Sequence, residues 1–409
     1  MIYLDHNATT PARPEVVEAV TRAAIDYPGN PSSVHTAGRR AREAVEQARA
    51  QVAVFLGVTR EEIVFTSGGT EGDHLAIRGL CAGASARGRR GVVTSPLEHP
   101  AVLGAVQALG QGTGEPWSVT SSRVTALGDI DLAHLESAVG DDTALVTLAL
   151  VNHEIGNVYP VARYAAIARA RGALMHTDAV QAAGKLAVDL SALGVDAATI
   201  SAHKIGGPHG VGAVFVRRGL DLPPLLVGGH QERERRPGTE NVPGIGGFGV
   251  ACDLARAGLS TECVRLERLR RDLVAALASI AGTRIWGWGD EPSGGQGQGR
   301  VPGTVMVSFA GAPGQLVAIG LDLEGICVST GAACTSGSVQ PSAVLRALGL
   351  GPEEAGQGLR ISLGWTSTAA DIRHLGEILP AIVERVRAAV SEPQPFSGGA
   401  RPTAEEAWS

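Results

Sequence analysis

The chain has 409 residues, with 41 acidic against 35 basic side chains and a formal net charge of −6. That length suffices for two domains around two cores, and dispersed basic residues in a mildly acidic chain argue against a nucleic-acid footprint. No apolar run approaches the ~18–20 residues of a membrane helix, Met1-Ile2-Tyr3-Leu4-Asp5 has no export-signal character, and five cysteines without a C-x-x-C pair fit neither a disulfide framework nor a metal site. The expectation is a soluble cytoplasmic protein with reduced thiols and no membrane or nucleic-acid partner.

Seven short apolar runs read as strands, at 62–66, 91–95, 117–123, 144–151, 173–177, 197–201 and 211–217. Amphipathic helical stretches at 35–56, 70–86, 99–109 and 161–171 separate most of the earlier ones. Strands alternating with helices predict an α/β fold with a mostly parallel seven-stranded sheet covered on both faces. Beyond about 255 the pattern changes to a charged helix at 262–280, a Gly-rich stretch at 287–303 read as a surface loop, and a strand at 305–309. A helix near 314–322 and a closing helix at 368–390 follow. Residues 15–255 are thus expected to form a large domain and 256–390 a smaller α+β domain. A Pro/Gly/Ala-rich tail, 391–409, reads as disordered.

Ligands of a parallel sheet sit beyond the carboxyl ends of its strands. Gly68, His153, Asp178 and Lys204 all lie at or just past such ends, so they are expected to converge. Lys204 follows the run Asp196-Ala197-Ala198-Thr199-Ile200, and Asp178 closes the preceding strand. A lysine at a strand end is by itself an ordinary solvated residue. Paired with a strand-end acid, it has the arrangement that pyridoxal phosphate (PLP) chemistry needs. The amine forms a Schiff base with the aldehyde, and the carboxylate keeps the pyridine nitrogen protonated. Ser67-Gly68-Gly69-Thr70 follows a strand and opens a helix, where small residues let backbone N–H groups approach an anion and the Thr70 hydroxyl adds a donor.

Set beside Ser201-Ala202-His203-Lys204, the stretches Leu4-Asp5-His6-Asn7-Ala8-Thr9-Thr10-Pro11, Thr66-Ser67-Gly68-Gly69-Thr70-Glu71 and Ser329-Thr330-Gly331-Ala332-Ala333-Cys334-Thr335-Ser336 fall in one chain order. That pattern resembles the cysteine desulfurases of the NifS/IscS type, in the class V branch of the fold-type-I PLP enzymes (aspartate aminotransferase-like). The resemblance runs from about Ile2 to roughly Val390. It implies that residues 1–14 pack with the small domain, that Lys204 holds PLP, and that His99 stacks on the ring and relays protons. Asp178 would then pair with the pyridine nitrogen and Gln181 with the phenolic oxygen. Gly69, Thr70, Ser201 and His203 would hold the phosphate, while Thr239 would reach the phosphate of a neighbouring subunit in a homodimer. Arg360 would bind the substrate carboxylate with a two-pronged guanidinium fork, and Asn7 would line the same pocket.

Cys334 is the discriminating residue. Cys81, Cys252, Cys263 and Cys327 sit in apolar or helical contexts, as inert cysteines do. Cys334 instead lies amid Gly, Ala, Ser and Thr, which suits an exposed loop that meets substrate and then an acceptor. The implied reaction converts L-cysteine to alanine, with sulfur carried as a persulfide to an acceptor protein. Selenocysteine lyase, another PLP β-elimination, or a weakly catalytic sulfur-relay scaffold are the alternatives. The chain departs from the family at Asn152-His153-Glu154, where a second asparagine is usual. His153 then takes the place of a residue that contacts the cofactor or substrate, and a histidine can titrate near neutrality. Gly206-Gly207 replaces a bulkier residue after the lysine, and Glu71-Gly72-Asp73 replaces a more usual Glu-Ser-Asn.

Overall fold

The computed structural model describes residues 1–85, 88–111, 116–289, 299–331 and 340–391, with the backbone of 334–335 and 338–339. Seven strands form one sheet: β1 (Ile63–Thr66), β2 (Gly91–Thr94), β3 (Ser118–Ser121), β4 (Thr143–Thr147), β5 (Leu174–Asp178), β6 (Ala197–Ser201) and β7 (Gly212–Val216). Their order is β1-β7-β6-β5-β4-β2-β3. Strand β7 runs antiparallel to β1 and β6, and the other pairs are parallel. Because β1 and β6 both oppose β7, six strands point the same way and end at one edge. Every residue of β1, β2, β4, β6 and β7 is buried, as expected for a sheet covered on both faces. The edge strand β3 is exposed throughout and reads Ser-Val-Thr-Ser.

A helix of 37 residues, Val242–Ala278, packs across the helices Pro14–Asp26 and Thr36–Leu56. The helix expected at 262–280 is its second half. The first half is rich in glycine, each costing about 1 kcal/mol in a helix interior. It forms because that bare face lets neighbours come close: a Cβ on Gly249 would lie 2.9 Å from the Ala48 Cα, and one on Gly247 2.4 Å from the Val20 side chain. This continuous helix crosses residue 255, where the sequence suggested a domain boundary.

Its second half enters a separate apolar cluster with Leu4, Leu269, Leu273, Val307, Phe309, Ile361 and Leu375. Here Thr304–Phe309 lies between Gly358–Ser362 and Thr283–Trp286 in an antiparallel sheet. Ile2–Tyr3 pairs with Ile326–Cys327, so the N-terminus starts in this layer. The Leu4 side chain is fully buried in it, and residues 5–10 then run along the carboxyl edge of the large sheet. Cys334–Thr335 pairs with Ser338–Val339. The Cys334 side chain, residues 290–298 of the expected Gly-rich loop and the tail from 392 lie outside the described residues. Among the described residues, no helix is long and apolar enough to cross a membrane.

Candidate active site

A cavity of about 230 Å³ opens at the shared edge, lined by Gly69, Thr70, Asp73, His99, Ala149, Val151, His153, Asp178, Val180, Gln181, Ser201, His203 and Lys204. Its first wall is the turn after β1. The helix Gly69–Ser85 begins there, and first-turn N–H groups have no intrahelical acceptor and sit at the positive end of the helix dipole. The Thr66 hydroxyl donates to the Gly68 carbonyl at 3.0 Å and Ser67 N–H donates to Glu71 Oε2 at 2.7 Å. A Cβ on Gly212 would lie 2.8 Å from the Gly68 Cα, so glycine in β7 lets this turn settle onto the sheet. Ser201, at the end of β6, places its hydroxyl in the cavity, buried and without a hydrogen-bond partner. A buried orphan hydroxyl costs about 1–3 kcal/mol. A phosphate oxygen held by the helix N-terminus, Thr70, Ser201 and His203 would satisfy it, so these residues fit the anionic end of PLP.

Asp178 ends β5, and its Oδ1 accepts the Val180 N–H at 2.8 Å. Burial raises its pKa, while His99 and Lys204 nearby oppose that shift. A cationic pyridine nitrogen is the partner such a carboxylate lacks. Lys204 sits on a short 3₁₀ turn, Ala202–Ile205, which ends at Gly206 with φ 75°. That left-handed backbone is where glycine serves better than the bulkier family residue. The Lys204 ammonium donates to the carbonyls of Asn7 at 2.6 Å and Ala8 at 2.8 Å. Burial, assisted by Arg360, lowers its pKa from 10.5 to about 8, against opposing Asp178 and Asp5.

His99 caps the helix Pro100–Gln107, its Nδ1 accepting the Ala101 N–H at 3.1 Å. The cap fixes the tautomer, so a neutral His99 carries its proton on Nε2. Burial lowers its pKa. The His153 ring meets His99 edge to face, with centroids 5.2 Å apart. Titration of His153 near neutrality, expected from the sequence, does not hold. Burial, with His99, Arg360 and Lys204 adding to it, lowers its pKa well below 6.5 and keeps the ring neutral. Its backbone carbonyl accepts from Asn7 Nδ2 at 3.1 Å and from Arg360 at 3.2 Å.

Nine expected residues therefore meet in the cavity: Gly69, Thr70, His99, His153, Asp178, Gln181, Ser201, His203 and Lys204. Asn7 borders it through Lys204 and His153. Arg360 lies behind them, and its fork is not free as expected: one nitrogen donates to Asp5 Oδ1 at 3.0 Å and another to the His153 carbonyl. Nε is buried and makes no hydrogen bond, and each terminal nitrogen keeps a second N–H, so a substrate carboxylate would share the fork with Asp5 or displace it. Thr239 does not reach this cavity. It lines another, of about 150 Å³, with Ser67, Arg236 and Glu240, and Arg236 pairs with Glu71 at 2.9 Å. Two residues were missed as site members. Asp73 was noted only as a departure, yet it faces the cavity one helical turn after Thr70, and burial and Asp178 raise its pKa strongly. Lys185 stands four residues after Gln181 and donates to it. A lysine within Ala182-Ala183-Gly184-Lys185-Leu186 was the available signal.

Residues 2–375 match the family model described as "Aminotransferase class-V". The chain is 44% identical over 389 residues to a cysteine desulfurase of Trichormus azollae, covering 95% of this chain and 94% of that protein. Among solved structures, a NifS-like protein superposes with a TM-score of 0.85 at 34% identity, over 94% of this chain and 99% of that one. SspA, solved in complex with cysteine, does so with a TM-score of 0.74 at 31% identity, over 89% and 99%. The architecture is that of the PLP-dependent fold type I, and the chain belongs to the class-V aminotransferase family.

Proposed function

We propose that this protein is a PLP-dependent cysteine desulfurase, converting L-cysteine to L-alanine with transfer of the sulfur to an acceptor. The observation that carries the reading is the meeting of the Lys204 amine, the Asp178 carboxylate and the orphan Ser201 hydroxyl in one cavity at the strand ends. Bound PLP would supply an aldehyde and an electron-accepting ring. Lys204 would hold the aldehyde, Asp178 the protonated ring nitrogen, Gln181 the phenolic oxygen and His99 the ring face.

Within that frame Lys204 Nζ takes the Cα proton of the amino acid, a role eased by an amine pKa near 8. His99 Nε2 holds a proton that it can deliver and, once deprotonated, take back. Arg360 and Asn7 orient the substrate carboxylate. Cys334, as thiolate, attacks the substrate sulfur: a sulfur–sulfur bond forms, the substrate Cβ–S bond breaks, and its electron pair stays with the carbon that is protonated to alanine. The retention of Lys204, Asp178, Arg360 and Cys334 together disfavours a non-catalytic scaffold, which needs none of them. The solved relative SspA was determined with cysteine, which supports cysteine as the substrate here.

A homodimer sharing its sites is part of this proposal. Thr239 lies outside its own chain's cavity, and Val227, on the approach to its loop, is 99% exposed. The division into residues 15–255 and 1–14 with 256–390, and a cytoplasmic setting, belong to the same reading. Purified protein supplied with PLP and L-cysteine should release alanine in a one-to-one ratio with sulfur. Selenide release from selenocysteine with no sulfur release from cysteine would favour the lyase instead, and no release from either would sink both.

A further inference from the structure

Among the described residues, Lys185 is a lysine of the site to which the proposed chemistry gives no task. It follows Gln181 by four residues on the turn after β5, and its ammonium donates to Asn7 Oδ1 at 2.6 Å and to Gln181 Oε1. We infer that Lys185 is a positioning residue, which fixes the orientation of the Gln181 and Asn7 amides so that Gln181 presents N–H, and not C=O, to the cofactor's phenolic oxygen. The inference rests on the functional reading above.

A carboxamide has nearly the same shape either way round, so packing alone does not select which end faces the cavity. An ammonium has three donors and no acceptor, so both amides must turn their oxygens toward it. Even as a neutral amine, Lys185 keeps two N–H groups, enough for both oxygens. The partners on the far side agree independently. Asn7 Nδ2 donates to the His153 carbonyl, which can only accept, and to Thr304 Oγ1 at 3.2 Å. Gln181 Nε2 donates one N–H to the Asn7 carbonyl at 2.9 Å, leaving the second for the cavity that Gln181 lines. The same Asn7 carbonyl receives the Lys204 ammonium, so the Lys185 network ends on the reactive amine. Without Lys185, a flipped Gln181 would set an oxygen lone pair against an oxyanion.

The charged groups around Lys185 are Lys204 and Arg360, which repel it, and Arg13 and Glu262, which line the small cavity behind it together with His6, whose pKa burial lowers to about 4. The test is the visible spectrum of PLP-loaded protein and its pH titration, with a thermal melt for the fold. Lys185→Met should keep PLP and the fold while moving the titration midpoint by about one pH unit, a tenfold change in the proton equilibrium. In a Gln181→Ala background the same substitution should move it by less than about 0.3 unit, because the amide that Lys185 turns toward the phenolic oxygen is gone. Should Lys185→Met fail to fold, Lys185→Gln, with a single amide group, carries the same comparison. An unmoved midpoint, or an equal shift in both backgrounds, overturns the inference alone. Wild-type protein with no visible band after PLP addition overturns the functional reading as well.

Discussion

A lysine near pKa 8 predicts a specific pH dependence for cofactor capture. At that value roughly a tenth of Lys204 is neutral at pH 7, whereas at the ordinary 10.5 the fraction is about 300-fold smaller. The rate of PLP uptake by apoprotein should rise with pH and level off just above 8, followed by stopped-flow absorbance from pH 6 to 10. Two substitutions move the midpoint in opposite senses. Arg360→Gln removes a cation that lowers the lysine pKa, so the midpoint rises. Asp178→Asn removes an anion that raises it, so the midpoint falls. Dividing each profile by that of wild type cancels the ionisation of free PLP. The same shift bears on stability. The folded state binds fewer protons than the unfolded state between about pH 8 and 10.5, so apoprotein stability should climb across that window. A midpoint at or above 10, or both substitutions shifting it the same way, refutes the reasoning.

Cys334→Ser should retain PLP and its visible band yet lose sulfur release by orders of magnitude; persulfide mapped by mass spectrometry to Cys327 or Cys263 instead would contradict the assignment. His153→Asn should leave the titration of the visible band within about 0.3 unit of wild type, because the ring is already neutral; a shift of a full unit would show that it titrates after all. Glu232 pairs with the buried Arg49 through two oxygens and also accepts the Phe65 N–H at 2.8 Å, so Glu232→Ala should cost about 3–5 kcal/mol in denaturant unfolding, and a loss below 1 kcal/mol would show the pair to be dispensable. Buried His176 has its pKa lowered to about 3, so stability present above pH 6.5 should be lost as pH falls toward 3; His176→Gln should flatten that slope, and an unchanged slope in acid denaturation would exclude it as the cause.

Most of the seven strands were legible because they are short apolar runs, the exposed edge strand Ser-Val-Thr-Ser being the exception, and the six that share a direction alternate mostly with helices whose patterning differs from theirs. The helix Val242–Ala278 was only half legible. Its first turns are written in glycine, and whether glycine means loop or close-packed helix depends on the Ala48 and Val20 surfaces it meets. Of the site, Lys204 and Asp178 could be placed from the sequence because strand ends of a parallel sheet converge by topology. His99, expected from the resemblance to stack on the cofactor ring, also caps its helix while lining the cavity.

The order of elements, the lysine–acid pair and the isolated cysteine were thus determined by residue type and local pattern, which survive in one dimension. Protonation and pairing were not. That Lys204 is shifted to about 8, that His153 is held neutral, that Asp5 occupies the Arg360 fork and that Lys185 turns two amides all depend on groups far apart in the chain. Electrostatic and hydrogen-bond energies are set by distances of a few ångströms and by exclusion of water, and only the folded chain fixes those.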